Sequence, residues 1–527
     1  MLLSFQRPWP LSIALLAVLA SLTGCGKPDT PAPPAQTRTA APAAASTGIA
    51  WREGDVEGAF AEAKESGKPL MLYWGAIWCP PCNRLQATLF KDPAFIALTH
   101  KFVVVHLNAD LADAQKWGDH FSVKAYPTII VLRPDRSQIT RLAGYSDNAR
   151  LTDALRVAAT RTTTSEQLLE RALQTPKELS ADDWTLLAGY EWWGMAREPA
   201  RTHSASEVLE HLAASAPQPA LQRRFALLAL SIAPTPPVTS PAHLALLKAV
   251  LADPAEVRAN RSELSRFAPR LVVASTNDPG ERAALSLALN QALDTVYADA
   301  TLPIADRMIT ASTQVDLARL AQGQTSDSAP QKPQPPLPAA VLDTVRQRVQ
   351  WAVQAAKTDE ERESVIAGAA ELLDATGDNA GAEQLLLGEL TRSKTPYHYM
   401  QFLAYLAEER NDPKTAVTWL KKSYEGSQGP ATRVESALRY ADGVLRLTPQ
   451  DTAAVESAGA QVIAEVAGQP DRYGRRNRQG IQALGSALKT WSRQHRQEGG
   501  AVLARLQQKM QASCDGKTTS TCSSWLS

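Results

Sequence analysis

The amino-acid sequence predicts an α/β domain near the N-terminus followed by a large all-α, repeat-like region. Three observations carry this. Between about 50 and 160, apolar strand-like runs alternate with runs at helical spacing. After Thr160 the chain turns Ala-, Leu- and Gln-rich, and no strand pattern of comparable strength recurs. Within the first part, a strand-like run at 69–74 leads into Trp78-Cys79-Pro80-Pro81-Cys82, and a helix-compatible run at 83–90 follows.

That order places Cys79 where a strand ends and a helix begins. The first-turn N–H groups of a helix lack internal partners, and the helix dipole is positive there. Both favour a thiolate, so Cys79 is expected to have a lowered pKa. A proline just inside the helix start fits, because its missing N–H would have been unpaired anyway. Cys82 lies about one turn on, behind Cys79. It can attack a mixed disulfide formed at Cys79 and release the product, which completes thiol–disulfide exchange. A lone CxxC is also half a zinc site, but no second CxxC or Cys/His pair stands at metal spacing. No metal or other cofactor is expected.

The remaining elements follow in order. Val56, Ala59, Phe60 and Ala63 sit at helical spacing, and Ser66-Gly67-Lys68-Pro69 stops that helix before the strand. After the active-site helix, 102–107 reads as a strand ending in Asn108-Ala109-Asp110. Residues 129–132 and 139–142 read as a strand pair across an Arg133-Pro134-Asp135-Arg136 turn, and a closing helix covers about 148–159. Over about 51–159 this order, with Trp78 to Cys82 and Ala125-Tyr126-Pro127-Thr128, resembles the thioredoxin family. Gly67-Lys68-Pro69 resembles its periplasmic reductase members. The resemblance implies a cis Pro127 facing the cysteines and a Tyr126 backbone that pairs with an extended client segment. Trp78, Tyr126 and Pro127 are therefore the candidate substrate-binding residues, and Cys79 and Cys82 the catalytic pair. Two positions depart from the family. Tyr73 stands where many members carry a buried acid, which removes the usual proton acceptor. His106 stands where a lysine is common, either turned toward the cysteines and titrating near neutrality or packed without a role.

The chain has 527 residues and a net charge of +1. That length calls for two to four domains, and the absence of a basic run argues against a nucleic-acid partner. Arg7 and the apolar stretch 11–22 read as a signal peptide, too short to span a bilayer comfortably. It ends in Leu22-Thr23-Gly24-Cys25, which resembles the bacterial lipoprotein box. The resemblance implies cleavage before Cys25, acylation of Cys25 and a membrane anchor. Gly26, in place of Asp, points to the outer rather than the inner membrane of the cell envelope, facing the periplasm. Residues 1–24 are thus read as signal peptide and 25–49 as a Pro/Ala-rich tether. Cys514 and Cys522 flank a polar turn-forming loop, and export favours a structural disulfide between them. A redox relay for Cys79 and Cys82 is the other reading of that pair.

The thioredoxin-like domain is assigned to 50–160 and a helical domain to 165–322. Trp184, Leu187, Ala188, Glu191, Trp192 and Met195 suit one helix face, with Trp192-Trp193 as core plus rim. A helix over about 254–275 carries Pro269, which breaks or kinks it. Residues 323–340 are Pro-, Gln- and Ser-rich and form the best internal boundary. In 341–527, Gly377-Asp378 and Ala382 are echoed by Asn411-Asp412 and Ala416, an offset of 34 residues, with Leu372/Leu406 and Leu386/Leu420 in step. This weakly resembles tetratricopeptide repeats. Further helices are expected over about 431–447, 452–467 and 475–510.

Two functions remain in view. One is an exported, membrane-anchored thiol–disulfide oxidoreductase, a reductase by resemblance, with protein thiol or disulfide clients and an upstream redox donor or acceptor. The other is a helical scaffold for protein partners, with the thioredoxin fold as a docking or redox-sensing module.

Overall fold

The computed structural model of the protein describes residues 48–143, 147–195, 203–233, 238–324, 335–468, 475–514 and 524–526. Cys25 with its lipoprotein box, Cys522, the tether up to Thr47 and residues 325–334 of the Pro-rich stretch lie outside the described residues.

The α/β part is built on β1 (Arg52–Glu53), β2 (Leu70–Gly75), β3 (Val103–Asn108), β4 (Thr128–Leu132) and β5 (Gln138–Ala143). They form one sheet in the order β1-β3-β2-β4-β5. The pairs β1–β3 and β2–β3 are parallel, whereas β2–β4 and β4–β5 are antiparallel. Central β2 is buried at every residue, which is why its sequence is a continuous apolar run rather than an alternating one. Its two faces serve two cores. Leu70, Leu72 and Trp74 pack with α1 (Val56–Ser66) and with Trp117, which belongs to a later helix on the same face. Met71 and Tyr73 face α2 (Pro80–Ala87) and α3 (Pro93–Thr99). The helix carrying Trp117 is α4 (Ala112–His120), and α5 (Asn148–Ala158) closes the Met71 face through Leu151 and Leu155. Local chemistry sets the ends of α1. The Asp55 carboxylate accepts from the Gly58 N–H, and Gly67 adopts the left-handed φ of +71° that terminates helices at little cost to glycine.

The core under Met71 and Tyr73 does not stop at the end of α5. It continues without interruption into Leu168, Trp184, Leu209 and Phe225 of the following helices. Tyr190 forms an isolated antiparallel bridge to Leu142, and the Glu191 N–H donates to Arg141 O. The open edge of β5 is therefore covered by the helical region, which protects it from pairing with other chains.

The same contact corrects one expectation. The helical face running from Trp184 to Met195 is interrupted, with helices Ala181–Gly189 and Trp192–Met195 on either side of the bridge. Trp192 is buried and donates to Leu187 O, while Trp193 is half-buried and stacks on Phe267. Two further helices are also divided. Pro254–Ala259, Arg261–Arg266 and Ala268–Ser275 replace one run, broken at Asn260 and Phe267, so that Pro269 sits in a first turn where its missing N–H costs nothing. The last long run splits into Arg475–Gln494 and Gly499–Ser513.

The 34-residue echo has a structural counterpart. Helices Asp359–Ala375 and Asn379–Glu389 form one hairpin, and Pro396–Glu409 and Pro413–Gly426 form the next. Each turn has a left-handed residue, Gly377 or Asn411, followed by an aspartate N-cap, Asp378 or Asp412. Ala382, Ala416, Leu386 and Leu420 are buried between the helices. Among the described residues no helix is long and apolar enough to cross a membrane.

One buried acid in the Pro430–Leu447 helix yields a pH test. Burial pushes the Asp442 carboxyl up to about 7, against the pull of Arg446 and with the help of Glu408. Its folded-state pKa is raised, so protonation favours the fold, and this contribution is lost as pH climbs from about 4 to about 7. Asp442→Asn is expected to melt with wild type below about pH 4 and above it near pH 8, by roughly a few degrees. Equal melting temperatures at the higher pH would contradict the assignment.

Candidate active site

The site begins where β2 ends. Tyr73 and Gly75 share one face of the strand, and a Cβ on Gly75 would lie 2.5 Å from the Tyr73 hydroxyl oxygen. Only glycine leaves room for that phenol, whose ring packs edge-on against Phe90 and stacks on His106. Burial raises the Tyr73 pKa far above the ordinary phenol value, so it is a neutral group here and no substitute for a carboxylate acceptor.

Cys79 is the N-cap of α2, in extended conformation. Pro80 and Pro81 occupy the first two helical positions and have no N–H. The Cys82 N–H is therefore the first donor the helix offers, and it points at Cys79 Sγ at 3.3 Å. The two cysteines are joined in a disulfide, with Cα atoms 5.2 Å apart. Cys79 is 3% exposed and Cys82 fully buried, packed with Ala76 and Ala109. Asn83 holds the approach to the helix, since its amide donates to Ile77 O at 2.7 Å and to Cys79 O at 3.2 Å.

The predicted substrate-binding residues converge on this junction. The Tyr126–Pro127 peptide is cis. The Trp78 and Tyr126 rings meet in a T-shape at 6.0 Å. The Trp78 indole N–H donates to Asp110 Oδ2 at 2.8 Å. Beside them Ile77 and Leu111 are exposed apolar residues, so the rim of the site is partly apolar. His106 turns to β1, where its Nδ1 lies 2.8 Å from Glu53 Oε2. Cys514 is disulfide-bonded. Cys522, its partner in the sequence reading, lies outside the described residues.

Comparison with known proteins fits this geometry. The sequence profile described as thioredoxin-like matches residues 50–134. This part of the chain is a thioredoxin-like domain. It is 30% identical over 110 residues to the thiol:disulfide interchange protein DsbD 1 of Pseudomonas aeruginosa, covering 20% of this chain and 19% of that protein. It is 33% identical over 72 residues to a Brassica oleracea H-type thioredoxin, covering 14% of this chain and 54% of the relative. The chain thus spans about a fifth and about half of the length of these relatives. The solution structure of a Thermus thermophilus thioredoxin is 25% identical, with 21% of this chain and 89% of that one covered and a TM-score of 0.20.

The thioredoxin-like domain is joined to the helical region at the site itself. Helix Asp359–Ala375 packs along α2. Buried Arg84 of α2 reaches Asp306 at 3.4 Å, and Asp306 also accepts from Arg261 at 2.6 Å. His398 packs on the Trp78 ring at 5.2 Å. None of Asn83, Arg84, Asp306 or His398 stands out in sequence. Asn83 was open to detection as a polar residue on the buried face of α2, whereas His398 acts from more than three hundred residues away.

With its ring engaged by Glu53 and Tyr73, His106 is not placed to tune Cys79. His106→Ala is expected to leave the pH midpoint of Cys79 alkylation within about 0.3 units of wild type. A larger displacement would put His106 in the proton path.

Proposed function

We propose that this chain is an exported, lipid-anchored thiol–disulfide oxidoreductase that reduces disulfides in client proteins. The observation that carries the reading is Cys79 at the N-cap of α2, disulfide-bonded to Cys82 and receiving its N–H. In the reduced protein, the Cys79 thiolate attacks one sulfur of a client disulfide. The client S–S bond breaks, and its other sulfur leaves as a thiolate that takes a proton from water. Cys82, deprotonated, then attacks Cys79 Sγ, the bond between Cys79 and the client breaks, and the second client thiolate departs. Two electrons pass to the client, and the protein ends in the Cys79–Cys82 disulfide.

The prolines support the reducing direction. A strong oxidant is one whose reduced form is stabilised, chiefly through its thiolate. Pro81 withdraws the N2 donor from the sulfur, leaving the Cys82 N–H and the helix dipole. A less stabilised thiolate means a lower potential. Turnover requires an upstream dithiol donor to reopen Cys79–Cys82. Trp78, Tyr126 and cis Pro127 are the client-facing residues of this scheme, and the exposed Ile77 and Leu111 offer apolar contact beside them. Acylated Cys25 would hold the protein at the outer membrane, facing the periplasm, and Cys514–Cys522 would pin the C-terminal tail.

Cys79→Ser is expected to abolish insulin reduction, and Cys82→Ala to accumulate mixed disulfides with clients on non-reducing gels. A Cys79→Ser protein as active as wild type would overturn the catalytic assignment. For the anchor, Cys25→Ser is expected to move the protein from the membrane pellet to the soluble fraction of the envelope. Retention in the pellet would contradict lipidation at Cys25.

A further inference from the structure

Asp110 sits at the meeting point of the two regions. One of its carboxylate oxygens accepts from the Trp78 indole at 2.8 Å. The other accepts from the Thr432 N–H at 3.1 Å and from the Thr432 hydroxyl. The Ala431 N–H donates to Asp110 O at 3.3 Å. Thr432 lies in the first turn of the Pro430–Leu447 helix, so a residue of the thioredoxin-like domain caps a helix 322 positions away. The fit leaves no slack. Gly429 has φ +83°, and a Cβ there would lie 2.7 Å from Asp110 Cβ. Asp110 is 5% exposed and Thr432 2% exposed. From the other side, His398 of the Pro396–Glu409 helix packs on the Trp78 ring.

We propose that Asp110, Thr432 and His398 are positioning residues for the redox site, through which the helical region holds Trp78 in place beside Cys79 and so determines which disulfides reach it. The inference rests on the proposed oxidoreductase reading and goes beyond it, because it makes the helical region part of the active site. Trp78 immediately precedes Cys79 and forms the wall opposite Tyr126. An indole fixed at both its N–H and its ring face presents a rigid wall to an extended client. A released indole leaves that wall unformed and uncovers the sulfur. The chemistry of the clamp is specific to a carboxylate. Three donors converge on its two oxygens, and an amide has only one oxygen. In Asp110→Asn the NH2 group must face either Trp78 or Thr432, so one side of the clamp opens.

The test uses the full-length protein and two readouts, steady-state insulin reduction and the rate of Cys79 alkylation by iodoacetamide in the reduced state. Asp110→Asn and Thr432→Val are expected to lower kcat/KM about tenfold, mainly through KM, as the loss of one charge-assisted hydrogen bond implies. Both are expected to speed Cys79 alkylation severalfold. Thr432→Ser keeps the hydroxyl and is expected to match wild type in both readouts. His398→Leu is expected to raise KM and alkylation in the same sense. If Asp110→Asn does not fold, Thr432→Val and Gly429→Ala carry the test from the helical side. Wild-type KM and wild-type alkylation rates in folded Thr432→Val and Asp110→Asn would overturn the proposal. If wild type itself fails to reduce insulin, the functional reading fails, and the alkylation rates still decide whether the clamp covers Cys79.

Discussion

A sulfur at the mouth of a helix depends on the helix being held still. Cys79 caps α2, and its partner in the cap is the Cys82 N–H, because two prolines have removed the donors before it. Such a contact is short-ranged and directional, so a small drift of α2 against β2 would dissolve it. The structure prevents the drift from several directions. Leu85 anchors α2 to the sheet core, Asn83 ties it back to Ile77 O, and the Asp359–Ala375 helix lies along its outer side. Tyr73 fills the space at the end of β2 so completely that residue 75 has to be glycine.

The helical region is therefore more than an appendage to a small redox domain. It shares a continuous core with one face of the sheet, covers the β5 edge, and reaches the site through Asp306, His398 and Thr432. Buried ion pairs such as Arg84–Asp306–Arg261 are weak stabilisers, because desolvation offsets much of their attraction. Their effect is orientational, since leaving any one of these charges unpaired in the interior costs several kcal/mol. The same reasoning applies to Asp110, whose carboxylate is tolerable at 5% exposure only while its donors stay in place. A docking error between the two regions would strand these groups, so one arrangement is favoured over its neighbours.

Much of this was legible in the chain. The strand–CxxC–helix order placed Cys79 at the start of a helix because that signal is local, whereas the cis Pro127 segment was legible only through its resemblance to thioredoxins. The 34-residue echo located both hairpin turns, since a left-handed residue followed by an aspartate cap is a local signature too. What was hidden is long-range. Nothing in Thr432 or His398 announces a partner in the thioredoxin-like domain. Asp110 was visible as the end of a strand motif, but its second set of donors was not. The break at Tyr190 was missed because helical periodicity runs through it, and a tertiary contact with β5 overrides the local preference.

The proposed chemistry makes Cys79 and Cys82 one exchange unit. Equilibrating the full-length protein in glutathione buffers of graded potential, then reading the state of both cysteines by alkylation and mass, tests it most directly. A single two-electron transition between disulfide and dithiol is expected, with a tenfold change in their ratio for about every 30 mV. A disulfide that stays closed across the whole range, or cysteines that each carry their own glutathione, would contradict it.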